Sequence, residues 1–336
     1  MPERLEVELV RRLEIAHGSG CTVAAVEHAS PYQWANACHD LFEAGRIDVL
    51  ESAVRYLYPK YPELTYLASL SALLDAMPRG GSAPLAFCDD PAAEVEVLQR
   101  PGCDTVLIGF CACRGTLGLP LNFVHQWLGR LPVSVIYLKD LRDLWGGCGF
   151  PALGPDRAAA VAQLTKLVRE IGGRRIYTFG VSLGGFPALH YGLELGAAGV
   201  LALAGATDLT PSFVTSLGPL RQEYINLRRL APDYVINLRD RYQSARHKPR
   251  AIIAYSANHP TDRRQAQRMA GLPNVELVPI DHAQHNVIEP LIRNRQFMPL
   301  LERLVRSERA KQKREGAVRD GAATPARQFE DVELQF

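Results

Sequence analysis

The sequence predicts an α/β protein: a mostly parallel sheet of about eight strands flanked by helices, preceded by an N-terminal all-helical segment. Three observations carry this expectation. Strand-like and helix-like runs alternate between residues 84 and 305. The first 77 residues repeat apolar side chains at three- and four-residue steps. The apolar run Ile176-Tyr177-Thr178-Phe179 leads into Gly180-Val181-Ser182-Leu183-Gly184, a glycine-bounded corner between a strand and a helix.

Composition bounds the functional classes. With 336 residues, 47% of them hydrophobic, the chain can bury one large α/β core and an accessory segment. Its 38 basic and 36 acidic residues leave a net charge of +2, which argues against nucleic acid or an anionic membrane as partner. No apolar run approaches the ~20 residues of a membrane span. The charged stretch from Met1 to Glu14 lacks the apolar centre of a secretory signal, so a cytoplasmic location is expected. Seven scattered cysteines, of which only Cys111 and Cys113 lie close together, fit no zinc or thioredoxin spacing. They read as small core residues, and no metal or other cofactor is expected.

Along the N-terminal segment, 1–77, helices are expected near 31–43, 47–60 and 63–76. Trp34, Cys38, Leu41 and Phe42 mark the buried face of the first; Ile47, Leu50, Val54 and Leu57 mark that of the second. Leu64, Leu67, Leu70, Leu73 and Leu74 do the same for the third. Gly45 punctuates the first turn and Pro62 stops the second helix. The spacing Trp34, Gly45, Pro62 loosely resembles one tetratricopeptide unit, with Cys38 and Leu50 where that family has smaller residues. A helical cap docked on the main domain is the plainer expectation; a protein partner held by these helices is the alternative.

Pro78-Arg79-Gly80-Gly81-Ser82 is a breaker-rich boundary. Beyond it, strands are expected at 84–88, 94–98, 104–110, 133–139, 175–180, 199–204, 250–255 and 275–280. The first two are spaced as a hairpin, giving an antiparallel edge. Helices are expected at 121–130, 156–171, 183–195, 262–270 and 286–305. A helical insertion over 205–249 interrupts the alternation and would lie at the sheet's C-terminal edge, where open α/β folds bind ligands. From 306 to 336 apolar content falls and charge rises, so a disordered tail is expected.

The corner at Ser182 carries the chemistry. It would hold a hydroxyl out on a tight turn, beside backbone N–H groups at a helix start. Such a hydroxyl needs a base, an orienting acid and a pocket for developing negative charge. In order, the chain then supplies Asp262 after the seventh expected strand and His285 after the eighth; a glycine-containing loop, 111–118, follows the third. On these features, residues 84–305 resemble the α/β-hydrolase superfamily, whose chain order is nucleophile, acid, histidine. The resemblance implies Ser182 as nucleophile, His285 as base and Asp262 as acid. It also implies an oxyanion hole made by the backbone N–H of Leu183 with that of Cys111 or Ala112.

Alternatives stand beside each assignment. His282 sits almost at the strand end, whereas in the resembling family the histidine comes several residues later, which favours His285. Asp208, after the preceding strand, and Asp281 rival Asp262. His259 shares the acid loop, while His125 and His190 fall in apolar helical patterns that read as core. The expected activity is that of a serine hydrolase acting on an ester, thioester or related acyl bond of a small molecule. Acyl transfer with the same triad, or a catalytically silent scaffold, are the alternatives; a nucleotide site is disfavoured by the absence of a P-loop lysine.

Overall fold

The computed structural model describes residues 2–18, 29–80, 83–214 and 221–305. The expected tail, 306–336, lies outside the described residues, as do Gly81, Ser82 and positions 215–220 of the insertion.

Seven strands form one sheet in the order β1-β3-β2-β4-β5-β6-β7. They are β1 (Val95–Leu98), β2 (Thr105–Phe110), β3 (Ser134–Leu138), β4 (Arg175–Val181), β5 (Gly199–Leu203), β6 (Arg250–Ser256) and β7 (Val275–Ile280). All pairs are parallel except β1 with β3, where Val95 faces Leu138. Parallel strands buried on both faces need apolar side chains at every position, and all six residues of β2 are buried. Alternate residues feed two cores: Leu107, Val135, Tyr137 and Phe179 point into one, and Val106, Ile108, Ile136 and Leu138 into the other.

One expected strand is absent. Residues 84–88 run extended but outside the ladder, so the antiparallel edge comes from β1 against β3 and not from a hairpin. Pro84 has no N–H to give a ladder, and the segment's groups are used elsewhere. Leu85 donates its N–H to Gly129 O, and Phe87 packs 5.0 Å from the Tyr137 ring.

The second core is covered by α6 (Arg157–Glu170), α7 (Gly185–Glu194), α8 (Arg221–Leu230), α9 (Leu238–Ser244) and α10 (Pro260–Gln267). The first is covered by α5 (Leu121–Leu128), α11 (Ile288–Arg293) and the helical stretch 297–305. The single helix expected over 286–305 is therefore broken. Arg295 takes a left-handed φ of 57° between the two pieces, a conformation no continuing helix allows.

Over α5 and α11 lies the N-terminal layer, α1 (Pro2–Gly18), α2 (Pro31–Glu43), α3 (Ile47–Leu57) and α4 (Thr65–Asp75). Ser30 and Gln33 form a capping box at the start of α2, with Pro31 in the first turn. The likeness to a tetratricopeptide unit is not supported. The buried faces of α2 and α3 are occupied by α1, α4 and the α/β unit, and Phe42 meets Phe123 edge-on at 5.1 Å. Gly45, at φ 66°, sits so close to Asn122 that a Cβ would fall 2.5 Å from Nδ2. Burial of each large apolar side chain here is worth about 1.5–3 kcal/mol.

The winding direction reverses between β2 and β4, which leaves a crevice at their C-terminal ends. There Phe110, the last residue of β2, pairs with Gly180.

Candidate active site

At the end of β4 the chain turns through a short 3-10 turn, Ser182–Gly184, into α7. Ser182 has φ 52°, a left-handed conformation costly for a residue with a Cβ. The turn closes only because its neighbours lack side chains. A Cβ on Gly180 would lie 2.0 Å from Gly184 O, and one on Gly184 would lie 2.0 Å from Phe110 O. One on Gly185 would meet Gly205 Cα at 2.5 Å. Strain concentrates here: Arg114, Asp143, Trp145 and Ala204, non-glycine residues of positive φ, lie in the loops following β2, β3 and β5.

Two further loops converge on the serine. The loop after β6 is stapled to the loop after β7. Ala257 N–H donates to Ile280 O, Asn258 N–H to His282 O and the Ser256 hydroxyl to Gln284 O. Asn258 Nδ2 also donates to Asp281 Oδ1 at 2.8 Å. Asn286 Nδ2 donates to Gly118 O at 2.8 Å, tying the late loop to the loop after β2. These bonds bring Ser182, His285 and Asp262 into one line. His285 Nε2 lies 2.7 Å from Ser182 Oγ, and His285 Nδ1 lies 2.7 Å from Asp262 Oδ1. A carboxylate only accepts, so Nδ1 carries the imidazole proton and Nε2 is left bare to accept from the serine hydroxyl.

The rival residues have other work. Asp281 accepts from Asn258, and His282 lends only its carbonyl to the staple. Asp208 is buried, accepts from the Thr210 N–H and hydroxyl, and pairs with Arg268 Nε at 3.2 Å. His125 is a core residue bridging Tyr137 OH and Leu85 O, each at 2.7 Å. His190 is likewise buried, 3.5 Å from Glu194. Burial pushes the Cys111 thiol well above its ordinary range and raises Cys113 as well, so neither is a ready thiolate.

His259 caps α10 and brings its Nδ1 to 3.0 Å from Asp262 Oδ1. His259, Asp262 and His285 thus gather three ligand-type atoms within 4.8 Å of one another. His285 Nδ1 and Asp262 Oδ1 are hydrogen-bonded at 2.7 Å, and His259 Nδ1 accepts from the Asp262 N–H at 3.4 Å. Two ligands placed tetrahedrally about zinc would stand roughly 3.3 Å apart. The cluster fits shared protons better than a metal.

The expected oxyanion donors divide. Leu183 N–H lies in the first turn after the serine, where helical N–H groups have no intrahelical acceptor. The two loop donors are already engaged: Cys111 N–H donates to Leu138 O at 2.8 Å and Ala112 N–H to Thr116 O at 2.6 Å. The β2–β3 ladder extends one residue beyond the strand, and the turn at Cys113–Gly115 folds back on Ala112. Neither N–H is free for an oxyanion in this geometry.

A pocket open to solvent lies over Ser182 and His285. Trp145, Leu209, Phe213 and Val214 give it apolar walls, and Arg264 stacks on Phe213 with its guanidinium carbon 4.2 Å from the ring centre. Sequence reasoning missed these wall residues. Trp145 comes from the loop after β3 and Leu209, Phe213 and Val214 from the loop after β5, and only the placement of the 205–249 insertion hinted at the last three.

No family model matches the chain, and no curated protein matches it in sequence. Among solved structures it is similar to the capsule O-acetyltransferase of Neisseria meningitidis serogroup A. The two are 12% identical, with a TM-score of 0.45 over 68% of this chain and 99% of that one. A lipase-esterase related protein from Clostridium acetobutylicum is 11% identical, with a TM-score of 0.41 over 63% and 100%. The Pyrococcus furiosus esterase Pf2001 is 16% identical, with a TM-score of 0.40 over 60% and 84%. Fold rests on this chain's own topology and not on these scores. A parallel sheet with one antiparallel edge strand, a strained serine corner after its central strand and a histidine loop after its last give the chain the α/β-hydrolase fold.

Proposed function

We propose that the protein is a serine hydrolase that cleaves an ester, thioester or related acyl bond through an acyl-enzyme. The observation that carries this reading is the unbroken hydrogen-bonded line Ser182–His285–Asp262, with both contacts at 2.7 Å. Ser182 Oγ attacks the acyl carbon while His285 Nε2 takes its proton, and the carbonyl π electrons move to oxygen. Asp262 holds the imidazole in the required tautomer and stabilises its cation. Leu183 N–H is the proposed first donor to the oxyanion. On collapse, His285 returns the proton to the leaving oxygen or sulfur. Water then repeats the sequence on the acyl-serine and releases the acid.

Hydrolysis is favoured over transfer to a second alcohol or amine because the His285 side chain is 46% exposed and the pocket opens to solvent. The apolar walls suit an acyl chain of a small substrate. A binding role with a silent triad is the weaker reading, since a scaffold has no use for the strain held at Ser182. The division into a helical segment, 1–77, and a catalytic unit, 84–305, belongs to this proposal. Labelling by a fluorophosphonate probe tests it, together with hydrolysis of acyl esters and thioesters of graded chain length. Both signals should vanish in Ser182→Ala. Undiminished turnover in that variant would end the reading.

A further inference from the structure

We propose that Trp145 limits the protein to short acyl chains, by walling the pocket over Ser182 off from a second cavity. The inference rests on the acyl-enzyme reading of Ser182 and adds the class of acyl group. On one side of Trp145 lies the open pocket with Ser182 and His285. On the other lies a small cavity at the ends of β2 and β3, bordered by Phe110, Leu138, Phe150 and Pro187. Among the described residues, Trp145 and Leu183 alone border both spaces. Leu183 N–H is the proposed donor to the oxyanion, so a substrate carbonyl bound there stands at this partition, and the carbons next to it run along the indole. A chain that follows the wall stops at Trp145; without the indole it reaches the rings of Phe110 and Phe150. Asp140 and Asp143 also border the cavity. Burial and the neighbouring carboxylates of Asp140 and Glu223 push the Asp143 carboxyl up, toward the neutral form that an acyl chain tolerates.

The wall is held from several sides. Trp145 has φ 53°, a conformation that a bulky residue keeps only where its surroundings compel it. One carboxylate oxygen does much of the compelling: Asp140 Oδ2 accepts from Leu144 N–H at 2.9 Å and from Gly146 N–H at 2.8 Å, anchoring the residues on both sides of Trp145. Two buried tyrosines complete the hold. Tyr234 OH donates to Trp145 O and Tyr191 OH to Gly146 O, each at 2.7 Å. The indole itself meets the Tyr224 ring edge-on at 6.4 Å, and Trp145 is only 5% exposed. A ring fixed at its backbone and its edge holds its place against a longer chain. The partition is thus part of the architecture of the loop after β3.

The test measures kcat/KM for 4-nitrophenyl acetate, butyrate and octanoate on the wild type, Trp145→Leu, Phe150→Leu and the double variant. Comparing substrates within one protein cancels any loss of folded fraction. The wild type should use butyrate at least about tenfold better than octanoate. Trp145→Leu should raise the octanoate-to-butyrate ratio about tenfold, the worth of roughly two newly buried methylenes. Phe150→Leu should leave the ratio unchanged while Trp145 stands, yet raise it about a further threefold beside Trp145→Leu, because the cavity is then open to the chain. If Trp145→Leu does not fold, Trp145→Phe decides, with an expected rise of about threefold. A wild type that uses octanoate as well as butyrate, or an unmoved ratio in the folded Trp145 variant, would overturn the proposal. So would a Phe150→Leu shift equally large with and without Trp145, since the two spaces would then already be joined. Ser182→Ala run in parallel separates the two failures. Turnover lost there, with an unmoved ratio in Trp145→Leu, removes only the partition, whereas turnover kept in Ser182→Ala removes both readings.

Discussion

Ser182 Oγ and His285 Nε2, 103 positions apart in sequence, stand 2.7 Å from each other across the C-terminal edge of the sheet. The contact depends on two loops that were built for different partners: the glycine corner sets the hydroxyl, and the staple to 256–258 sets the ring. Ser182→Ala and His285→Ala should each lower kcat for an activated ester by at least about 10³-fold, with no gain from combining them. His282→Ala should stay within a fewfold of wild type, since only its carbonyl is used. Steady-state kinetics on the four proteins checks this; a dead His282→Ala beside an active His285→Ala would reverse the assignment.

Asp262 and Asp208 are both buried, yet their roles separate cleanly in an experiment. Asp262→Asn replaces an acceptor by a donor and turns the imidazole to its wrong tautomer, so kcat should fall about 10⁴-fold at near-normal stability. Asp208 instead ties the insertion to α10 through Arg268, Thr210 and the Gln265 side chain that binds its backbone. Asp208→Ala should cost about 1–3 kcal/mol of unfolding free energy and leave the proposed activity of the folded protein largely intact. Urea unfolding and kinetics on both variants distinguish the two.

Much of this was legible before the structure, for reasons that differ by element. The central strands could be read because burial on both faces forces unbroken apolar runs, as in Val106 to Phe110. Ser182, Asp262 and His285 could be singled out together because their order along the chain follows from which strand each loop follows, and the fold brings the three side chains together. The segment 84–88 misled because pairing is a tertiary choice: its composition suits a strand, but Leu85 and Phe87 found partners on Gly129 and Tyr137. The oxyanion loop misled in the same way. Whether Cys111 and Ala112 have a spare N–H depends on where Leu138 O and Thr116 O lie, and no residue identity encodes that.

The glycines of the corner make a sharper test of the site's architecture than the proposed catalytic side chains do. In Gly184→Ala the new methyl would press on Phe110 O, at 2.0 Å before relaxation, and must push the serine corner away from the loop after β2. Turnover should fall by about 10²-fold or more, as for other misplacements of about 1 Å. Gly172→Ala is the control: its φ is 81°, but nothing lies within 4 Å of the added carbon. That variant should lose about 1–2 kcal/mol of stability from left-handed strain alone and keep its activity. Equal activity in both variants would mean that the close approach of Gly184 to Phe110 is dispensable.

Acid should weaken the fold through histidines that take no part in the chemistry. Burial lowers the basicity of His125 and of His190. For His125 the proton is located: Leu85 O can only accept, so Nε2 carries the hydrogen and Nδ1 accepts from Tyr137 OH. Folded-state values below the ordinary histidine value of 6.5 mean that the unfolded chain binds more protons at mildly acid pH. Stability is therefore complete above that value and falls as pH drops through it, until the folded-state values are reached. The slope is at most about 1.4 kcal/mol per pH unit for each histidine. Urea unfolding at pH 7.5, 6.5 and 5.5 should show this loss, and the double variant His125→Phe with Tyr137→Phe should show a shallower one whatever its starting stability. An unchanged slope would place the acid sensitivity elsewhere in the molecule.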